Sequence, residues 1–221
     1  MTRSSREQIL NEIRRATGGP SNQQEVEYAG IRREYRLAGT LNPRARLKMF
    51  LDRLNDYNAG TVVCEPDRVA EHIASTLTSR GKQRIIVPAG FPRQWLPAGF
   101  EFIDGAGLNY RELDRSDGVL TQCSLAVAFT GTIILQDQAP GEGARALTLV
   151  PDYHLCIVDE ARIVETVPEA VRALEDSKTV AITTISGPSA TADIEMTRIK
   201  GVHGPRTLDV IIIGAVPRAD T

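Results

Sequence analysis

The chain has 221 residues, 42% hydrophobic and 24% charged, enough for an ordinary globular core in one compact domain with a helical extension. A net charge of −2 gives no footing for nucleic-acid or polyanion binding, and three scattered cysteines argue against a disulfide framework and against a metal site or iron–sulfur cluster built by this chain alone. No apolar run approaches membrane-spanning length and the N-terminus lacks the apolar core of a signal peptide, so the expectation is a soluble, cytoplasmic protein.

Residues 1–60 read as an N-terminal helical extension. Its first helix, SREQILNEIRRA, has Ser4 as cap with Glu7 three residues on, and Ile9, Leu10 and Ile13 form one apolar stripe. The break TGGPSNQQ (17–24) makes that helix a separable arm, an arrangement suited to homo-oligomer or partner contacts. A second helix follows Asn42 as cap and Pro43 as first helical residue, with a stripe of Leu47, Phe50, Leu51 and Leu54 and a stop at Gly60. This region carries 11 Lys/Arg against 7 Asp/Glu, mostly in RREYR (32–36) and PRARLK (43–48). The excess reads either as a solvated helix face or as a docking surface for an acidic partner.

Residues 61–221 read as an α/β domain. TVVCE is a strand, PDRVAEHIASTLTSRG a helix ending at Gly81, RIIVP a strand and EFI a short one, followed by the loop DGAG. LAVAFTGTIILQ, the glycine loop APGEGAR and ALTLVPDYHLCIVDEARIV are strand-dense with short links, so part of this region pairs antiparallel. VPEAVRALE is a helix, TVAITTIS a strand, SATADIEMTRIK a helix and TLDVIIIG the last strand. The fold class is therefore α/β, an open, mostly parallel sheet with helices on both faces. Cys64 and Cys156 sit in apolar runs as buried thiols, whereas Cys123 stands in the polar stretch TQCS.

Three glycine-bearing segments follow or interrupt apolar strands and supply the ligand-binding candidates. They are Thr130, Gly131 and Thr132 in FTGTI, Gly143 and Arg145 in PGEGAR, and Gly187, Ser189 and Thr191 in ISGPSATADIE. Ligands of open α/β sheets bind beyond the carboxyl ends of strands, and backbone N–H groups at a following helix start favour anions. Ser189 or Thr191 can cap the helix after Pro188. Asp193 and Glu195 fall in its first turn, where they complement the helix dipole and would repel a phosphate; their spacing does not make a metal site. His203, between Gly201 and Gly204, can move protons or fix its turn, and Arg145 and Arg206 can pair with a carboxylate. His154 begins a strand and reads as a satisfied structural histidine. No nucleophile elbow, Walker loop, metalloprotease helix motif or dinucleotide fingerprint occurs.

The stretches TGTIIL, GEGARALTLVPDYHLCIV and ISGPSATADIEMTRIKGVHGPRTLDVIII resemble the LUD domain family over roughly residues 45–214. The resemblance implies a fold like that of the sugar-phosphate isomerase and CoA-transferase group. It also implies a role in oxidising L-lactate to pyruvate alongside partner proteins that carry the iron–sulfur clusters, with no cofactor bound by this chain. In that reading Gly187, Ser189 and Thr191 cradle a small anionic ligand, Arg145 or Arg206 pairs with its carboxylate, and His203 with Asp193 or Glu195 polarises it as the catalytic group. One residue departs from the family. Phe129 stands before Thr130-Gly131-Thr132 where a glutamate is typical, and a phenylalanine carries no proton. The alternatives are a stand-alone enzyme, or a degenerate ligand-binding subunit, acting on a CoA- or sugar-phosphate-like ligand.

Overall fold

Short β-branched runs separated by amphipathic helices build the central sheet. In the computed structural model, residues 5–18, 28–32, 34–175, 180–191, 199–200 and 204–214 are described. The strands are β1 (Gly60–Cys64), β2 (Arg84–Val87), β3 (Glu101–Asp104), β4 (Gly118–Gln122), β5 (Leu125–Val127), β6 (Thr132–Gln136), β7 (Tyr153–Asp159), β8 (Ile163–Val164), β9 (Ile182–Ile185), β10 (Ala190–Thr191), β11 (Ile199–Lys200) and β12 (Thr207–Ile213). Six of them form an all-parallel sheet in the order β1-β12-β7-β4-β2-β3. A second, four-stranded sheet has the order β8-β5-β6-β9, and β6 pairs antiparallel with both of its neighbours. The α/β class, the parallel sheet and the antiparallel middle region are as the sequence predicts.

Two short elements escape the sequence reading. Strand β4 and the one-turn helix before it, Tyr110–Asp114, lie in the stretch between DGAG and LAVAFTGTIILQ, to which the sequence pattern assigns no element. Their signal is tertiary: β4 is buried between β2 and β7, and only that environment selects an extended GVLTQ.

The chain divides into two compact units, residues 1–35 and 36–221. The first contains α1 (Ser5–Ala16), on which Ile9 and Ile13 are exposed. The proposed Ser4 cap lies outside the described residues. The second unit takes in α2 (Pro43–Asp56), which the sequence reading grouped with the extension. Asn42 caps this helix by accepting from the Ala45 N–H at 2.9 Å.

Side-chain alternation on the buried strands separates two faces. On one, Cys156 and Val158 of β7 and Leu208, Val210 and Ile212 of β12 pack with Leu47, Phe50 and Leu54 of α2 and with Ala126 and Ile133 of the second sheet. On the other, Leu155, Ile157, Ile211 and Ile213 pack with Val69, Ile73 and Leu77 of α3 (Val69–Ser79). The two helices therefore cover opposite faces, as a parallel sheet requires.

The helix expected over SATADIEMTRIK is corrected by the structure at the segment's two ends. Ala190 pairs with Lys200 and Thr191 with Ile199 in an antiparallel ladder, so the two ends of the segment are strand, while residues 192–198 lie outside the described residues. The β-branched residues Thr191 and Ile199 suit the extended chain found at these ends.

Candidate functional site

The most substantial cavity described, about 260 Å³, lies between the second sheet and the main sheet. Its walls come from three stretches of chain: Thr148, Leu149 and His154; Thr183 through Ser189; and Gly204, Pro205 and Leu208. His154 and Leu208 are each the second residue of their strand, so the cavity opens at the amino ends of β7 and β12. The carboxyl ends, where such sheets usually bind ligands, are not its location. The cavity instead follows the carboxyl end of β9, whose continuation turns across it.

Gly187 makes that turn. It has φ of 84°, and a Cβ there would lie 2.5 Å from Cβ of Tyr57, just past the end of α2. Gly131, with φ of 62°, also packs on Tyr57 and on Arg53. One tyrosine therefore supports both the Thr130-Gly131-Thr132 turn and the Ser186–Ser189 turn, and its hydroxyl donates to the Thr130 carbonyl at 3.2 Å. A row of hydroxyls joins the two turns: Thr130 Oγ1 lies 2.7 Å from Thr132 Oγ1, which lies 2.8 Å from Ser186 Oγ. The Ser189 N–H donates to the Pro205 carbonyl at 2.8 Å, tying the second wall to the third.

Of the ligand-binding candidates, Gly187 and Ser189 line the cavity, and Thr130, Gly131 and Thr132 buttress its wall through Ser186 and Tyr57. Gly143 and Arg145 lie elsewhere. Gly143 packs on Pro88 and Leu147, and the Arg145 N–H donates to Asp137. Arg206 is exposed and paired with Asp152 at 3.3 Å. Thr191 is placed on β10. Asp193, Glu195 and His203 lie outside the described residues. Phe129 is exposed in the turn between β5 and β6, where its N–H donates to the Glu165 carbonyl and its own carbonyl accepts from Arg53; it does not line the cavity.

His154 is the residue whose role the sequence reading underrated. It is 1% exposed on β7, and its Nε2 lies 2.8 Å from Thr121 Oγ1 on β4. Its Nδ1 is buried with no hydrogen-bond partner, so this histidine is not satisfied by the protein. Two residues on, Cys156 faces the same way, and the Thr121 hydroxyl donates to its Sγ at 3.8 Å. Burial opposes ionisation of Cys156, but hydrogen bonds from Cys123 and His154 outweigh it and draw its pKa down. Cys123, despite its polar sequence context, is buried, and its bond to Cys156 together with desolvation pushes it well up. A polar row of Thr121, His154, Cys156 and Cys123 thus runs through an otherwise apolar face. Among the described residues no group of three or more His, Cys, Asp and Glu could hold a metal ion, and no helix is long and apolar enough to cross a membrane.

The sequence pattern of the LUD domain matches residues 46–213, from α2 to the end of β12. The chain belongs to the LUD domain family. Lactate utilization protein C of Deinococcus radiodurans is 44% identical over 183 residues, covering 81% of this chain and 85% of that protein. Lactate utilization protein C of Shouchella clausii is 33% identical over 107 residues, 46% of each chain. The crystal structure of a DUF162 family protein from Deinococcus radiodurans superposes with a TM-score of 0.70 at 40% identity, covering 79% of this chain and all of that one. The LUD domain match contains every wall of the cavity, so the cavity belongs to the family's own domain rather than to the N-terminal unit.

Proposed function

We propose that this protein is a cytoplasmic component of an L-lactate utilization system. It binds a small anionic metabolite in the cavity between the sheets and works with iron–sulfur partner proteins in the oxidation of L-lactate to pyruvate. The role is supported by the two relatives named lactate utilization protein C. The single observation that carries ligand binding is the cavity itself, walled by Gly187 and the hydroxyl-bearing Ser186, Ser189, Thr148, Thr183 and Thr184. Its volume of about 260 Å³ lies just below the roughly 300–1,000 Å³ of sites that enclose drug-sized ligands, which suits a metabolite of a few carbons.

Deletion of the gene in its host is expected to abolish growth on L-lactate as sole carbon source, with growth restored by the wild-type chain. Tagged protein isolated from lactate-grown cells is expected to bring down brown iron–sulfur proteins. Undiminished growth of the deletion strain on L-lactate would overturn the reading.

A further inference from the structure

We propose that the surface around Phe129 is a docking site for an acidic protein segment that carries an apolar side chain between its carboxylates. The inference is independent of what the cavity binds.

The first observation is an apolar patch. Leu37, Phe129, Val167 and Val171 are between 47% and 61% exposed. Bonds to one short stretch of chain gather them. The Phe129 N–H donates to the Glu165 carbonyl at 3.0 Å, and Val167 stands two residues further on. Val171 follows one turn later on the short helix Val167–Ala173. That helix packs inward through Ala170 against Val127 and Ile134, so its two valines face outward. Leu37 lies between Arg36, which pairs with Glu165, and Gly39, whose N–H donates to Glu169 at 2.9 Å.

Phe129 is also held in place. Its N–H is tied to Glu165, its carbonyl accepts from Arg53 Nε at 3.2 Å, and the next carbonyl accepts from the Tyr57 hydroxyl. An aromatic presented on a fixed turn loses little freedom when a partner covers it, which is the property of an interface anchor.

The second observation is the charge around the patch, which decides the occupant. Arg36 and Arg53 are half exposed beside Leu37 and Phe129, and Arg172 is exposed next to Val171. Arg53 is shared with Asp56 at 3.1 Å. The carboxylates of Glu165 and Glu169 turn away from solvent toward backbone N–H groups: Glu165 takes those of Thr40 and Leu41, and Glu169 those of Gly39, Glu165 and Thr166. Guanidinium groups thus rim an apolar centre, an arrangement that receives Asp and Glu around an apolar side chain. A second copy docked about a two-fold axis would set these arginines against themselves. A net charge of −2 gives an extended polyanion no long-range attraction to the chain.

The test uses the full-length, nitrogen-15-labelled protein and three synthetic decapeptides. One carries a Leu-Phe pair between two Glu-Glu pairs, one has Lys in place of Glu, and one has Ser in place of Leu-Phe. The acidic apolar peptide is expected to move the amide signals of Leu37, Phe129, Val167 and Val171 saturably, and to bind about tenfold or more tightly than the other two. Its affinity is expected to fall severalfold as salt is raised from about 0.05 to about 0.5 M. Phe129→Glu and Val171→Glu are each expected to weaken it tenfold or more, with the urea midpoint of the wild type. The wild-type comparison of peptides and salts decides the matter even if a variant does not fold. Equal binding of the three peptides, tighter binding of the lysine peptide, or no movement of the four signals overturns the proposal. Sedimentation of the wild type and Phe129→Glu is expected to give the same mass for both. A wild-type dimer that Phe129→Glu dissociates would assign the patch to a second copy and overturn the acidic partner.

Discussion

Glu165 carries a carboxylate to the inside of the protein and uses both of its oxygens there. Oε2 accepts from the Thr40 and Leu41 N–H groups at 2.6 and 2.7 Å, and Oε1 takes the guanidinium of Arg36. Its side chain is 2% exposed, so the pairing is shielded from water, whereas Arg36 remains half exposed. A glutamine fits the same space but must turn its NH₂ either toward the backbone donors or toward the arginine, and either choice sets donor against donor. Glu165→Gln is therefore expected to cost about 1–3 kcal/mol, read as a lower urea midpoint with an unchanged m-value. At this scale the sequence was only partly legible. Gly187 and Ser189 announced themselves by the Gly-Pro turn. His154 did not, because a histidine opening an apolar strand looks the same whether its second nitrogen is satisfied or not. Only the neighbouring strand, which delivers Thr121 to one nitrogen and nothing to the other, makes the distinction.

Elements here are joined by a few side chains that serve backbone groups of another strand. Asp117, just before β4, accepts from the N–H groups of Arg84 and Gln83 at 2.8 and 2.9 Å and so fixes where β2 starts. The Arg84 backbone bond is the leading reason its pKa lies below the usual 3.8, ahead of the opposing desolvation. A carboxylate with a depressed folded pKa contributes stability above its unfolded pKa and loses it as pH falls through the folded value. Asp117→Asn is expected to lose about 1–2 kcal/mol at neutral pH. The gap to wild type should close in acid below 3.8, measured by denaturant melts across pH. The same scale explains which elements could be read in advance. Helices α2 and α3 carry apolar stripes at helical spacing and caps or glycine stops, and both were legible. The SATADIEMTRIK segment mixes β-branched and charged residues that fit a helix face equally well, and at its two ends the pairing of Ala190–Thr191 with Ile199–Lys200 selects strand. No local pattern encodes a partner strand eight residues away.

On the scale of the whole molecule, the three thiols report on the integrity of the core. Cys64, Cys123 and Cys156 are all free and buried, one in the cluster under α3 and two under α2. Native protein is expected to resist a thiol reagent, and all three are expected to label together as denaturant opens the fold. Fast labelling of one thiol in native buffer would show that its side of the sheet opens separately. The α/β architecture could be read from alternating apolar runs and helices, but the cavity could not. Its walls come from residues near 150, 185 and 205, and strand order alone brings those segments together.

That strand order also governs how the protein comes into being. Strand β12, the last in sequence, is inserted between β1 and β7, with Asp209 beside Gly60 on one side and Leu155 on the other. Until it is made, β1 has no neighbour and β7 presents an open edge, so the sheet stays in two pieces throughout most of translation. Closing it joins residues separated by nearly the length of the domain, the kind of late, long-range step that slows folding and leaves apolar edges exposed meanwhile. A chain cut short before Thr207 therefore has its helices in hand, a divided sheet, and a third cavity wall without Leu208.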